Sequence, residues 1–230
     1  MRAKWASQDA LLPYRFPVVV AVTRHLGRDG KRRTVAPSSQ HTLERLNQME
    51  QFPVYTVDSA PEGSKSALRD LHAAFGMIPN IAGVMATSPV LIDSLVGLFG
   101  KVHGGSFTEA QVQTVLLTDA VTNACSWAVA FHTALALKEG LDPADVEAIR
   151  AGRSPKDKKF GALSTLARTL IEKRGRIDAQ DREHFLAAGF GEDHLLEVIA
   201  AVAASTITNY TGNVTNPPLE APFQAHVWNA

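Results

Sequence analysis

The sequence predicts an all-α domain. From Ser64 onward apolar residues recur at spacings of three and four, glycine or proline marks each break, and the period-two alternation of a half-buried strand is almost absent. Ser64 to Phe75 reads as a short amphipathic helix closed by Gly76. Ser88-Pro89 supplies an N-cap and a proline at the first helical position for a helix running to about Lys101. His103-Gly104-Gly105 then breaks the chain. Thr108 and Gln111 make a capping box, which opens a helix through Val115, Leu116, Leu117 and Val121. A helix over residues 124–138 follows and stops at Gly140. Asp142-Pro143 opens a short helix to about Arg150, Ser154-Pro155 opens a longer one through Phe160, Leu163, Leu166 and Leu170, and residues 179–188 add another. The last helix, from about Glu192 to Tyr210, carries Leu195, Leu196, Val198, Ile199, Val202 and Ile207. It is apolar nearly all round near its centre, which predicts burial in the core or at a subunit contact.

The 230 residues are 45% hydrophobic and 20% charged, the composition of a globular chain of one or two domains. Lysine and arginine number 23 and so do the acids, leaving no electrostatic footprint for nucleic acid, and no run of 18 apolar residues predicts a membrane span. The charge is segregated. Residues 1–48 hold nine Lys or Arg against three acids, together with Pro13, Pro17, Pro37 and the basic run from Arg28 to Arg33. They are expected to form a poorly ordered basic N-terminal extension, with the all-α domain occupying residues 49–230. The apolar block from Phe16 to Val22 is interrupted by Pro17 and ends in Thr23-Arg24-His25, so a secretory signal is not expected, and Met49 is an alternative start of translation. A single cysteine, Cys125, excludes an internal disulfide or a cysteine zinc cage and suits a reducing, cytoplasmic compartment.

The helix over 124–138 is built on small residues, among them Ala124, Ser126, Ala128, Ala130, Ala134 and Ala136, which lets neighbouring helices approach closely and places it centrally. At about 100° per residue Cys125, Ala128 and His132 share an arc of roughly 60°, so one face carries a thiol, a methyl and an imidazole. Trp127 lies about 140° from His132 and is expected to pack. Cys125 and His132 stand about 10 Å apart along the axis, beyond direct hydrogen-bond reach. With Asn123 as N-cap, Cys125 would sit in the first turn, where backbone amides and the helix dipole lower a thiol pKa.

The stretch Asn-Ala-Cys-Ser-Trp-Ala-Val-Ala-Phe-His-Thr-Ala-Leu-Ala-Leu-Lys-Glu-Gly-Leu over 123–141, followed by Ala-Ile-Arg-Ala-Gly-Arg over 148–153, resembles the carboxymuconolactone decarboxylase and AhpD-like alkylhydroperoxidase superfamily. The peroxidase branch of that superfamily carries Cys-x-x-Cys-x-x-x-His on this helix, with a glutamate twelve residues before the first cysteine. Cys125 and His132 match the first cysteine and the histidine, while Ala128 replaces the second cysteine and Gln113 the glutamate. The resemblance implies an AhpD-like helical bundle that assembles as a homo-oligomer. It implies a thiol peroxidase chemistry in which Cys125, with His132 and Gln113 beside it, would attack a hydroperoxide and be restored by an external thiol reductant, since no second sulfur is present to close a disulfide. Two other readings stay open: His132 acting alone as acid or base on a carbonyl or lactone substrate, or a helical oligomer without catalysis that binds a ligand or partner. The remaining histidines, His72, His103, His184, His194 and His226, show no metal-ligand spacing, and no metal or other cofactor is called for.

Overall fold

The computed structural model describes residues 52–229, so the extension expected over 1–48 and the alternative start at Met49 lie outside the described residues. Among the described residues there is no strand. The helices are α1 (Lys65–Phe75), α2 (Asn80–Met85), α3 (Pro89–His103), α4 (Glu109–Thr122), α5 (Ser126–Lys138), α6 (Pro143–Arg150), α7 (Lys158–Glu172), α8 (Ala179–Ala187) and α9 (Glu192–Thr215), with 3₁₀ turns at Glu62–Ser64 and Ala221–His226.

Helix α4 is the axis of the domain. Every residue from Val112 to Ala120 is buried, and the helix packs against α5, α6, α7 and α9. Its two sides serve two apolar clusters. Leu117 and Ala120 join the cluster built from α1, α2, α3, α5 and α6, whereas Val112, Val115 and Leu116 join the one built around α7, α8 and α9. Gln113 shares the stripe of Leu117 and Ala120 at spacings of four and seven, so it faces the α5 side. Truncating the fully buried Leu116 or Leu117 to alanine would cost about 2–5 kcal/mol, because a cavity adds to the lost transfer energy.

The helix ends follow local chemistry. Ser88 Oγ accepts the Leu91 amide proton at 3.3 Å ahead of Pro89. Thr108 and Gln111 exchange hydrogen bonds of 3.3 and 2.9 Å, completing the capping box, and Gly76 closes α1 at φ +72°. Helix α7 starts at Lys158 rather than just after Ser154-Pro155. Asp157 is its cap, accepting from Lys159 N and Phe160 N, and the preceding segment is held by Asp145, whose carboxylate accepts from Lys156 N at 2.7 Å. Helix α9 continues past Tyr210 to Thr215 and ends where Asn216 turns left-handed at φ +42°. It buries Leu195, Val198, Ala201 and Ala204 but leaves Leu196, Ile199, Tyr210 and Val214 exposed, so the all-round apolar character resolves into a core face and an outward face.

Helix α4 also carries an ionisable group into this interior. Asp119 of α4 is fully buried, and neither of its oxygens has a hydrogen-bond partner among the described residues. Burial pushes its carboxyl well above the usual carboxylate range, against a smaller opposite pull from the nearby Ser205 hydroxyl. The neutral acid is therefore the form the fold favours.

Candidate functional site

The link between α4 and α5 decides where the thiol goes. Ala124 adopts φ +50°, an uncommon conformation for a residue with a Cβ, and reverses the chain between the helices. The Cys125 amide donates to Ala120 O at 2.9 Å, closing α4, and the Cys125 carbonyl accepts the Val129 amide proton at 2.9 Å, so Cys125 itself is the N-cap of α5. Its thiol turns towards α9. A Cβ built on Gly212 would come within 2.6 Å of Cys125 Sγ and 3.3 Å of Ile81 Cδ1, so the missing side chain of Gly212 is the space the sulfur fills. Cys125 is 1% exposed. Burial pushes its thiol pKa up, and the amides of Ala128 and Trp127, which pull the other way, do not offset it. The expected first-turn placement with a lowered thiol pKa is thus corrected: the cap position and the Gly212 notch wall the sulfur in.

Gln113 and His132 come together. Both are 3% exposed, and His132 Nδ1 lies 2.9 Å from Gln113 Oε1. With the amide oxygen assigned toward the ring, Nδ1 carries the proton and donates it, leaving the lone pair on Nε2. Burial first, and the positive charge that His103 can carry second, lower the His132 pKa to about 3. The ring is neutral throughout the physiological range. A glutamate in place of Gln113 would stabilise an imidazolium, whereas an uncharged amide fixes the tautomer without favouring the charge.

His132 and Gln113 open onto a cavity of about 400 Å³ between α1, α2, α3 and α5. Its wall is mainly apolar and aromatic, with Phe75, Phe99, Trp127 and Phe131 contributing rings. Trp127 and Phe131 stack at 4.9 Å, and Phe131 meets the His132 ring edge-on at 5.2 Å. Trp127, expected only to pack, is therefore also cavity wall. Cys125 is not among the lining residues.

Sequence reasoning missed the polar pair at this cavity. His103 Nδ1 lies 2.8 Å from Glu109 Oε2, and the His103 ring stacks on Phe99 at 5.6 Å. Phe99 and His103 are four apart on α3, a legible same-face signal, but the Gly104-Gly105 break hides that Glu109 returns to them. The lining carries Asp70, Glu109 and Glu139 against Lys138 and contains no arginine among the described residues. No group of three or more His, Cys, Asp or Glu close enough to hold a metal ion occurs among the described residues, and no helix there is long and apolar enough to cross a membrane.

No protein-family model matches the chain, and no curated protein matches it in sequence. Solved structures do match in fold. The AhpD core of an uncharacterised peroxidase-related protein from Ralstonia eutropha JMP134 superposes with a TM-score of 0.65 at 15% identity, covering 75% of this chain and 93% of that one. The debrominase Bmp8 gives 0.65 at 15% identity, covering 79% and 97%. An uncharacterised peroxidase-related protein from Silicibacter sp. TM1040 gives 0.63 at 15%, covering 78% and 96%. A cysteine-to-alanine variant of Bmp8 has been solved in complex with 2,3,4-tribromopyrrole. At these identities the likeness is one of architecture, and the chain has the AhpD-like all-α fold.

Proposed function

We propose that this chain, an AhpD-like fold that we place in the carboxymuconolactone decarboxylase and AhpD-like superfamily, uses the His132 cavity to bind a small, uncharged, largely apolar molecule bearing one hydrogen-bond donor, and that its thiol takes no part. The observation that carries this is the neutral His132, its Nδ1 proton committed to Gln113, on the wall of an aromatic cavity that Cys125 does not line. Nε2 is then a fixed acceptor for one N–H or O–H group. Small ring molecules are compatible with this fold, since Bmp8 accommodates a tribrominated pyrrole.

Magnitudes separate binding from proton transfer. Moving a proton from a phenol-like donor of pKa about 10 to a base of about 3 spans about 7 units, or about 10 kcal/mol, so His132 accepts a hydrogen bond rather than the proton. As an acid it is no better placed, because it holds no second proton at neutral pH. A decarboxylase reading also asks for carboxylate recognition, and the lining offers three carboxylates, Lys138 and no arginine. The one-cysteine peroxidase reading asks for an exposed, lowered-pKa thiol, whereas Cys125 is buried with its pKa raised.

The test uses 2-naphthol, an uncharged aromatic with one O–H, against naphthalene and 2-naphthoate in calorimetric titrations. The expected order is 2-naphthol tightest, naphthalene about tenfold weaker for want of the donor, and 2-naphthoate weakest. Equal affinities for naphthol and naphthalene, or preference for the carboxylate, would overturn the reading. The exposed stripe of Leu196, Ile199, Tyr210 and Val214 supports a homo-oligomer. Light scattering should then show an assembly for the natural chain and a monomer for Ile199→Glu/Tyr210→Glu, and a monomeric natural chain would end that part of the proposal. The proposed compartment remains the cytoplasm, and binding of this kind requires no external reductant.

A further inference from the structure

Glu220 follows α9 in the C-terminal segment and is 8% exposed, yet it does not line the cavity. Both of its carboxylate oxygens are used. Oε2 accepts the indole proton of Trp127 Nε1 at 3.0 Å, and Oε1 accepts the backbone amide proton of Asn80. Those donors belong to two different walls. Trp127 is cavity wall on α5, while Asn80 opens α2, whose Ile81 and Ala82, with the preceding Pro79, line the cavity from another side. Asn80 Nδ2 adds a bond of 2.9 Å to Pro218 O in the same segment. Further along, Phe223 packs edge-on against Phe131 at 5.0 Å, behind the ring that meets His132.

We propose that Glu220 is a positioning residue for the ligand cavity: by holding the Trp127 indole and the first amide of α2 with one carboxylate, it sets the separation of the α2 and α5 walls. The inference rests on the ligand-binding reading above for its affinity consequence, but not for its structural one. A buried carboxylate needs donors on both oxygens, and hydrogen bonds to a charged acceptor are roughly twice as strong as neutral ones. An amide at this position could accept from one wall only and would turn an N–H donor toward the other. Trp127 would then be free to rotate away from its stack on Phe131, and the wall facing His132 would move.

The test compares Glu220→Gln with Asp145→Asn in the full chain. Asp145 is the matched control, a carboxylate of 7% exposure that accepts backbone amide protons from Lys156 and Asp157 away from the cavity. Calorimetric titration with 2-naphthol should show about tenfold weaker binding for Glu220→Gln and less than about twofold change for Asp145→Asn, even where both lose similar thermal stability. Equal losses in the two variants, or none in Glu220→Gln, would overturn the proposal. Should the natural chain not bind 2-naphthol at all, the earlier functional reading fails and hydrogen exchange decides this one without a ligand. At least one of the two protons held by Glu220, the Trp127 indole proton or the Asn80 amide proton, should exchange at least about tenfold faster in Glu220→Gln, the one that loses its acceptor; acceleration of neither would refute the shared clamp. If Glu220→Gln does not fold, Trp127→Phe keeps an aromatic side chain at the wall and removes the indole donor along with the fused second ring. It should accelerate exchange at Asn80, and an unchanged Asn80 would be equally fatal.

Discussion

Replacing Gln113 with glutamate would convert the partner of His132 from a neutral to a charged acceptor at a separation of 2.9 Å. In the natural chain the His132 pKa stands at about 3, some 3.5 units below its ordinary 6.5, so charging the buried ring is disfavoured by about 5 kcal/mol. A carboxylate in the same place supplies a charge-assisted bond, about 1–2 kcal/mol better than a neutral one, and an ion-pair attraction of about 4 kcal/mol for charge centres about 4 Å apart at an effective dielectric of about 20. These overlap, and burying the new carboxylate takes part back, so a net gain of about 3–4 kcal/mol is expected. That lifts the His132 pKa by about 2–3 units, to about 5–6. The assay is a pH titration of the imidazole resonances, with His132 assigned by its loss in a His132→Leu variant. His132 should stay flat from pH 4 to 9 in the natural chain and titrate with a midpoint of about 5–6 in Gln113→Glu. A His132 that titrates near 6.5 in the natural chain would refute the argument at its root, because the neutral acceptor would no longer be enforced by burial and the amide.

Three further outcomes follow from the geometry. Asp119 holds its proton in the fold and has an ordinary pKa of about 4 when unfolded, so above that pH the unfolded state binds fewer protons and stability falls by about 1.4 kcal/mol per pH unit until the folded pKa is reached. Asp119→Asn should therefore match the natural chain near pH 4 and exceed it in thermal stability at pH 8, the difference between the two chains cancelling the opposite contribution of the buried His132 below pH 6.5; a difference that does not widen between pH 4 and 8 would contradict this. Gly212→Ala should destabilise by about 1–3 kcal/mol because its Cβ would meet Cys125 Sγ at 2.6 Å, and Cys125→Ala should recover part of that loss in the double variant. Strict additivity in denaturant melts would show that the sulfur does not occupy the Gly212 notch. Iodoacetamide should leave Cys125 of the folded chain unlabelled between pH 5 and 7 by intact mass and label it after denaturation, whereas fast labelling in the folded state would revive a reactive thiol.

The architecture was legible where a local rule acts alone. Ser88-Pro89, the Thr108 and Gln111 box, Asp142-Pro143 and Gly76 each place a helix end through chemistry contained within a few residues. Legibility failed where a distant group intervenes. The start of α7 is set by Asp157 together with Asp145, eleven residues upstream of the Lys156 amide it binds, and α2 is too short to display a period. The site divides in the same way. The resemblance singles out Gln113 and His132, and their contact follows from an apolar stripe on α4 facing a small-residue helix. Helical spacing alone put Cys125 on the His132 face, because it could not register the left-handed turn at Ala124 that makes Cys125 a cap. Nothing local connects Glu220 to Trp127, 93 residues away, so that clamp appears only in three dimensions.

The decisive experiment is a paired titration of Cys125→Ala and His132→Leu with 2-naphthol. Cys125→Ala should bind within about twofold of the natural chain, and His132→Leu about tenfold more weakly for loss of the Nε2 acceptor. Loss of binding in Cys125→Ala with retention in His132→Leu would contradict it.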